Sequence, residues 1–448
     1  MTDRLAALTD QLLSAAKAAG ADAADAIAVD GTSVSIEVLK GALEHAERAE
    51  GVDLGLRVMI GQRQACVSAS DISAATIATM AERAVAMARE APEDPYIGQA
   101  QPGAFATDWD VAALEMADTA AEPSAEAMQA MALEAEAAAL SVKGVDQVQG
   151  AGTTYSRRAM HLATSVGFAG GYARTGTSVS CVAISGTGAG MERDYDGDSR
   201  TFAADLRAPS DIGRTAGERA VERSGARKPP TGAYPVLYDE RISGGLIGHM
   251  LGAINGAAIV RGSSWLRDAL GERILPSWIT VEELPHRARI SGSRPFDGEG
   301  LATQARKIVD QGVLTGWTLD LATARQLGME STANAARGTS SPPSPSVSNV
   351  SMTQGSKSRA ELLSEMGTGL LITSMIGTSI NPTTGDYSRG ASGFWVENGE
   401  ITYPVNECTV AGNLREMLLA LTPANDARTH LSRVVPSLLV EGLTLAGA

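Results

Sequence analysis

Near its end the chain carries Asn398-Gly399 between two short runs, Phe394-Trp395-Val396-Glu397 and Glu400-Ile401-Thr402-Tyr403. A two-residue turn that matches the twist of its flanking strands needs positive φ at both central residues, and Asn-Gly adopts this readily. The segment is thereby committed to a β-hairpin. Strand alternation sends either Phe394 or Trp395 inward, so an aromatic is expected in the core here. The preceding residues, 384–393, are charged and glycine-rich, with Gly385, Gly390 and Gly393.

The rest of the chain reads as repeated units. Leu5, Leu8, Leu12 and Leu13 give a helical stripe that ends near Gly20. Strands are expected at 27–29, 34–39, 54–59 and 65–67, separated by Asp30-Gly31, Lys40-Gly41 and Ile60-Gly61. Asp71 is placed to cap a helix that runs through Met87. Residues 90–95 break it, and a polar linker runs to about 120. A second unit opens with a helix after Pro123 and continues as a strand meander over 144–206. It closes with a helix capped by Asp211. The closing helices carry near-identical pentapeptides, Ala81-Glu82-Arg83-Ala84-Val85 and Gly217-Glu218-Arg219-Ala220-Val221, which points to an internal duplication. Arg227-Lys228-Pro229-Pro230 marks a boundary. Three domains follow: 1–120 and 121–226, both α/β, and 227–448, rich in short strands. In the last, the Ser/Pro-rich stretch 339–358 lacks periodicity and is expected to be an exposed, mobile loop.

The net charge is −15, from 37 basic and 52 acidic residues. No basic surplus exists to neutralise phosphates, so nucleic acid is not expected as a main partner. Cys66, Cys181 and Cys408 are far apart and odd in number, which fits a reducing compartment. No apolar h-region and no membrane span are visible, so the cytoplasm is the expected location.

The block from Gly385 to Val405 reads G-D-Y-S-R-G-A-S-G-F-W-V-E-N-G-E-I-T-Y-P-V. It closely resembles the C-terminal signature of the TldD/PmbA (TldE) family of metalloproteases, the PmbA/TldE branch in particular. The resemblance runs over roughly the whole chain in the same three-part order. It implies an α+β fold, with an N-terminal α/β half of two strand-meander-plus-helix units and a C-terminal domain of antiparallel sheets curled into a barrel-like body. It also implies a role in a heterodimeric zinc protease that cleaves unfolded peptides and trims leader segments from modified peptides. An edge strand could hold such a substrate by β-addition. A regulatory or binding role, in keeping with the family's older label of DNA gyrase modulator, stands as the alternative, as does a stand-alone hydrolase with an unrecognised site.

The catalytic branch, TldD, carries H-E-x-x-x-H on a helix early in the third domain and a Cys near the C-terminus, the donors that a zinc hydrolase needs. Here the corresponding helix is 241–258. Aligned on Arg261-Gly262-Ser263-Ser264, it puts Ile247, Gly248 and Gly252 where the His, Glu and second His would stand. The segment 429–433 has no Cys. No catalytic and no metal-binding residue is therefore expected in this chain. Zinc is expected in a TldD-like catalytic partner. His249 reads as a histidine packed beside small residues. His45, His161, His286 and His430 are solitary, and Glu282, Glu283, Asp297 and Glu299 around His286 read as a solvated acidic face.

Gly-x-Ser-x-Gly and dinucleotide-loop patterns fail on spacing or on context. Six residues remain as a candidate partner or peptide-chamber surface: Gly248, Gly252, Asp386, Tyr387, Ser388 and Arg389. For the last four the alternative is a tight barrel corner in which Asp386 pairs with Arg389. The glycines at 244, 245, 248, 252 and 256 would each weaken a helix by about 1 kcal/mol relative to Ala. Close approach of another backbone, within the domain or across a subunit interface, would account for them.

Overall fold

The computed structural model describes residues 2–447, without the side chains of Thr2, Ala189 and Thr378. The first half is α1 (Thr2–Ala18), β1 (Ala23–Leu39), β2 (Ala42–Ile60), β3 (Arg63–Ala69) and α2 (Ala74–Glu90), then α3 (Ala125–Leu140), β4 (Val145–Thr164), β5 (Ala169–Ser185), β6 (Glu192–Arg200) and α4 (Pro209–Glu222). Each unit is thus a three-strand meander between two helices. Their first strands pair antiparallel, Asp25 opposite Thr164 through Val38 opposite Ala151, and the meanders fuse into one sheet ordered β3-β2-β1-β4-β5-β6. The two pentapeptides occupy matching helices, α2 and α4, and bury Ala81, Ala84 and Val85 in one, Gly217 and Ala220 in the other.

Period-2 alternation divides the faces of β1. Ala24, Ala26, Ala28, Val34, Ile36 and Val38 point to the helices. Ile27 and Val29 point the other way and pack with Leu162 and Phe168 against Phe296 of the C-terminal half. Four local expectations need correction. Asp30-Gly31 is not a turn, because both residues are held in the ladder from both sides, opposite Val52 and Gly51 on β2 and Ala159 and Arg158 on β4. β2 begins at Ala42 rather than at 54, as an exposed polar arm whose lack of apolar residues hides it. The α2 cap is Ser73, and Asp71 braces it from outside the helix. α4 opens with Pro209 in its first turn, so Asp211 sits inside the helix.

The second half runs β7 (Gly232–Tyr238), α5 (Glu240–Ala253), α6 (Gly256–Val260), β8 (Val281–Glu283), β9 (Arg306–Asp310), β10 (Val313–Leu314), α7 (Leu321–Leu327), β11 (Ala335–Ala336), β12 (Ser344–Pro345) and β13 (Val350–Met352). It continues with α8 (Arg359–Met366), β14 (Gly369–Ile380), β15 (Asp386–Glu397), β16 (Glu400–Asn413), α9 (Leu414–Leu419), β17 (Leu421–Pro423), β18 (Arg433–Val434) and β19 (Leu438–Ala446). Strands β16, β15, β14, β7 and β19 follow one another, and pairing of β16 with β19 closes them into a five-stranded barrel. One of its pairings, β14 with β7, is parallel, and the others are antiparallel. A second sheet, β10-β9-β8-β13-β18, completes the body.

The Asn398-Gly399 turn is as expected, with φ of 55° and 81° between Glu397 and Glu400. Trp395 is the buried aromatic, and Phe394 is half-buried against a smaller cluster on the opposite face. Gly393 has to be glycine, since a Cβ there would lie 1.9 Å from the Leu371 carbonyl oxygen. The stretch 339–358 is not a free loop. Ser348, Asn349, Val350 and Met352 are buried, and Asn349 donates to the Leu284 carbonyl and to Ser293 Oγ. Polar side chains from elsewhere fix it, which a search for apolar periodicity does not detect. The helix expected over 241–258 is two helices, broken where Asn255 caps α6.

Candidate functional site

Asp239 caps α5 by accepting from the Arg241 amide. One side of the helix, with Leu246, Ile247, Met250 and Leu251, is sunk in the main core beside Tyr238 and Tyr387. The other side carries Gly245 and Gly252, both exposed, and a Cβ at 244, 245 or 252 would meet no atom within 4 Å. Among the described residues no backbone approaches these three positions, which overturns the intradomain account of them. Gly248 differs. A Cβ there would stand 2.9 Å from Nη1 of Arg433, so that guanidinium lies across the helix at this point.

His249 follows, with its ring edge-on to Tyr387 at 6.0 Å. Its Nε2 is buried and has no hydrogen-bond partner. Burial, then the nearby charges of Arg389 and Arg433, hold the imidazole below its ordinary pKa and so neutral. Arg389 donates from Nε to the Gly377 carbonyl at 2.7 Å. Tyr387 donates to Met375 Sδ at 3.3 Å, and the buried Tyr238 hydroxyl lies beside that of Tyr387. Burial pushes both phenols up.

Of the six residues singled out in the sequence, Gly248, Tyr387 and Arg389 therefore meet around His249. Gly252 lies on the exposed side of the same helix. Asp386 is in a turn, where it accepts from Thr384 Oγ1 at 2.6 Å and Asn413 Nδ2 at 3.1 Å, and these bonds hold its carboxyl below the usual range. It does not pair with Arg389, which removes the barrel-corner ion pair. Ser388 sits in the ladder between Ser379 and Ala411, its side chain on the face opposite Tyr387. Sequence reasoning missed His249 as a hub, and with it Arg433 and Tyr238. Arg433 is brought over Gly248 from a strand near the far end of the chain, so no local spacing signals it.

The helix offers no donor set for a metal. Ile247 is in the core, and Gly248 and Gly252 have no side chain. The neighbours of His249 are cations, not carboxylates. Among the described residues no three His, Cys, Asp or Glu side chains converge as ligands. The acidic cluster is also not what its sequence suggests. Glu283, Asp297 and Glu299 are buried, not solvated. Glu283 accepts from Arg306, Asn334 and the Ser348 amide. Asp297 accepts from three backbone amides, those of Glu299, Leu301 and Ala335. Glu299 accepts from the Leu321 amide. Burial raises the pKa of both Asp297 and Glu299, and Asp297 raises that of Glu299 further.

These acids lie at the seam between the two halves. There Arg57 Nε donates to Asp25 at 2.7 Å, and Arg337 pairs with the other oxygen of the same carboxylate. Outside the barrel, a cleft of about 730 Å³ separates β14–β16 from β6 and α4. Arg223 spans it from Asp194 and Glu192 to Ser392 Oγ, and Ile376, 76% exposed, forms its lip.

The sequence matches the models of the PmbA/TldA metallopeptidase domain 1 over residues 24–88, central domain over 118–223 and C-terminal domain over 231–447. It is 35% identical to metalloprotease PmbA of Escherichia coli over 95% of this chain and 92% of that one. The chain belongs to the PmbA/TldA metallopeptidase family. The PmbA homologue of Haemophilus influenzae is likewise 35% identical over 96% of this chain and 93% of its own length. Among solved structures, a protein proposed as a modulator of DNA gyrase from Bacteroides thetaiotaomicron superimposes with a TM-score of 0.92 at 27% identity, covering all of both chains. TldE of Thermococcus kodakarensis shares the fold, with a TM-score of 0.83 at 19% identity over 98% of this chain and all of that one.

Proposed function

We propose that this chain is the non-catalytic subunit of a two-chain zinc metallopeptidase, in which a TldD-like partner supplies the zinc, its ligands and the general base. The observation that carries this reading is helix α5. The family frame is complete, yet the positions aligned with the metal motif hold a core isoleucine and two glycines, one of them covered by Arg433. This chain would complete a chamber for unfolded peptides, and its exposed glycine face fits close approach of a partner or peptide backbone. The three cysteines are free, which fits assembly in a reducing compartment such as the cytoplasm.

The test is elemental analysis and peptidase assay on three samples: this chain, a TldD-like protein and their mixture. We expect no stoichiometric zinc in the dialysed chain, no cleavage by it alone, and cleavage by the mixture that chelator abolishes. One tightly held equivalent of zinc in this chain, or undiminished cleavage by it in chelator, would sink the reading. A gyrase-modulating role rests on the name given to the Bacteroides relative. Retention on DNA or on gyrase would favour it, against a net charge of −15.

A further inference from the structure

Two arginines lie near one half-buried imidazole, and neither holds a carboxylate. Elsewhere in this half several arginines meet carboxylates, and others, such as Arg287 and Arg325, are held by backbone carbonyls. Arg241 pairs with Asp194 and Asp239, Arg306 with Glu283, and Arg428 with Glu240. Arg389 donates from Nε to a carbonyl and lies beside the Tyr387 hydroxyl, and among the described residues no carboxylate pairs with the Arg433 guanidinium. Both charges act on His249, whose Nε2 is buried without a partner, in a fold where such groups are few. The neutral ring can donate one hydrogen bond from Nε2, and guanidinium groups bind a carboxylate through paired N–H donors. In a chain with 52 acidic residues, a spot that has kept all of them away is arranged for an anion from outside.

The approach to it is the glycine side of α5. At Gly244, Gly245 and Gly252 nothing stands within 4 Å of where a side chain would begin, so an extended backbone can lie against the helix. A group presented at the end of such a backbone reaches the arginines without needing a side chain of its own. We propose that His249, Arg389 and Arg433 form a site for the C-terminal carboxylate of an extended peptide, laid along the glycine face of α5. The site would position one end of a substrate whatever its sequence. It deepens the subunit reading and rests on it for its biological use, although the binding itself needs only this chain.

The experiment is a fluorescence anisotropy titration of the full-length chain with a labelled, unfolded decapeptide free of acidic side chains. Three forms are compared: free C-terminal carboxylate, C-terminal amide, and the amide with one internal Glu. We expect the free acid to bind about tenfold more tightly than either amide, as for a hydrogen-bonded charge pair. Arg433→Gln, at an exposed position and checked by its unchanged melting temperature, should remove that preference. So should Arg389→Gln, provided that it folds.

Equal binding of acid and amide, no binding of any form, or a preference that survives Arg433→Gln would overturn the proposal. Equal binding of the free acid and the Glu-bearing amide would overturn the assignment to the chain terminus. The two readings fail separately. An active mixture with no acid preference removes only this site, whereas an inactive mixture with the acid preference intact counts against the subunit reading alone.

Discussion

The seam between the halves and the corner on α5 are built from the same residue types and treat them in opposite ways. At the seam Asp25 holds Arg57 and Arg337, all three buried, and each nearby acid accepts amide or guanidinium hydrogens. At the corner two arginines and an imidazole face one another half-exposed, with no acid between them. Burial makes an unpaired charge costly, so the closed junction sets each of these guanidinium groups against a carboxylate. Open ground can leave a set incomplete, and an incomplete set is one that a ligand can finish. Unmet hydrogen-bonding capacity beside an accessible surface is thus a better guide to function here than the number of charges.

Mutations should separate the regions by size of effect. Asp25→Ala strands two buried guanidinium groups and is expected to cost about 3–5 kcal/mol, read as a lower urea midpoint with an unchanged slope. A loss below about 1 kcal/mol would mean that the seam is wetter than its burial suggests.

Next comes pH. Burial and then Asp297 push Glu299 up to about 8, well above its unfolded value. A raised folded pKa means that the native state binds the extra proton. The contribution is therefore fully present below the ordinary carboxylate range and is lost as pH rises towards 8. Glu299→Gln should flatten that slope, by a few kcal/mol at most between pH 5 and 8. A variant with the wild-type slope would assign the pH dependence to another group.

At the corner, stability should barely move. Gly252→Glu projects into open space and should leave melting unchanged or raise it slightly, because Gly is a poor helix former. Peptidase activity of the mixture should fall about tenfold or more if that face meets a partner or substrate, as a new charge placed in a packed contact costs several kcal/mol. Full activity would place the contact elsewhere. Smallest of all, Arg433→Gln should shift stability by less than about 0.5 kcal/mol. A larger loss would make Arg433 a structural residue and dissolve the contrast between the two regions.

Much of the architecture was legible in the sequence. The Asn398-Gly399 hairpin, the turns at Lys40-Gly41 and Ile60-Gly61, and the two strand-meander-plus-helix units all follow from local chemistry. What failed depends on partners far along the chain. Asp30-Gly31 looks like a turn until two neighbouring strands pin it, and 339–358 looks disordered until Glu283 and Leu284 bind it. The acids at 283, 297 and 299 read as solvated because nothing nearby in sequence announces Arg306, Asn334 or the amide of Ala335. The site was half visible. Tyr387, Arg389 and Gly248 were marked, but the residue that joins them was taken for packing, and Arg433 had no signature at all.

The order in which the barrel strands are made has a consequence for biosynthesis. The strands of the six-stranded sheet are all made by Arg200 and its last helix by Glu222, so the sheet can pair while the second half is still being added. β7 is the first barrel strand to emerge, but its neighbours are β14 and β19, whose contacts with it begin at Leu370 and Leu438. Val236, Leu237 and Tyr238, all destined for complete burial, must wait through most of the second half's synthesis with both strand edges unpaired. Such long-range closure is slow, and a waiting apolar edge is prone to aggregate. Cooler expression should then raise the soluble yield, because the hydrophobic attraction that would draw the waiting β7 into aggregates weakens on cooling.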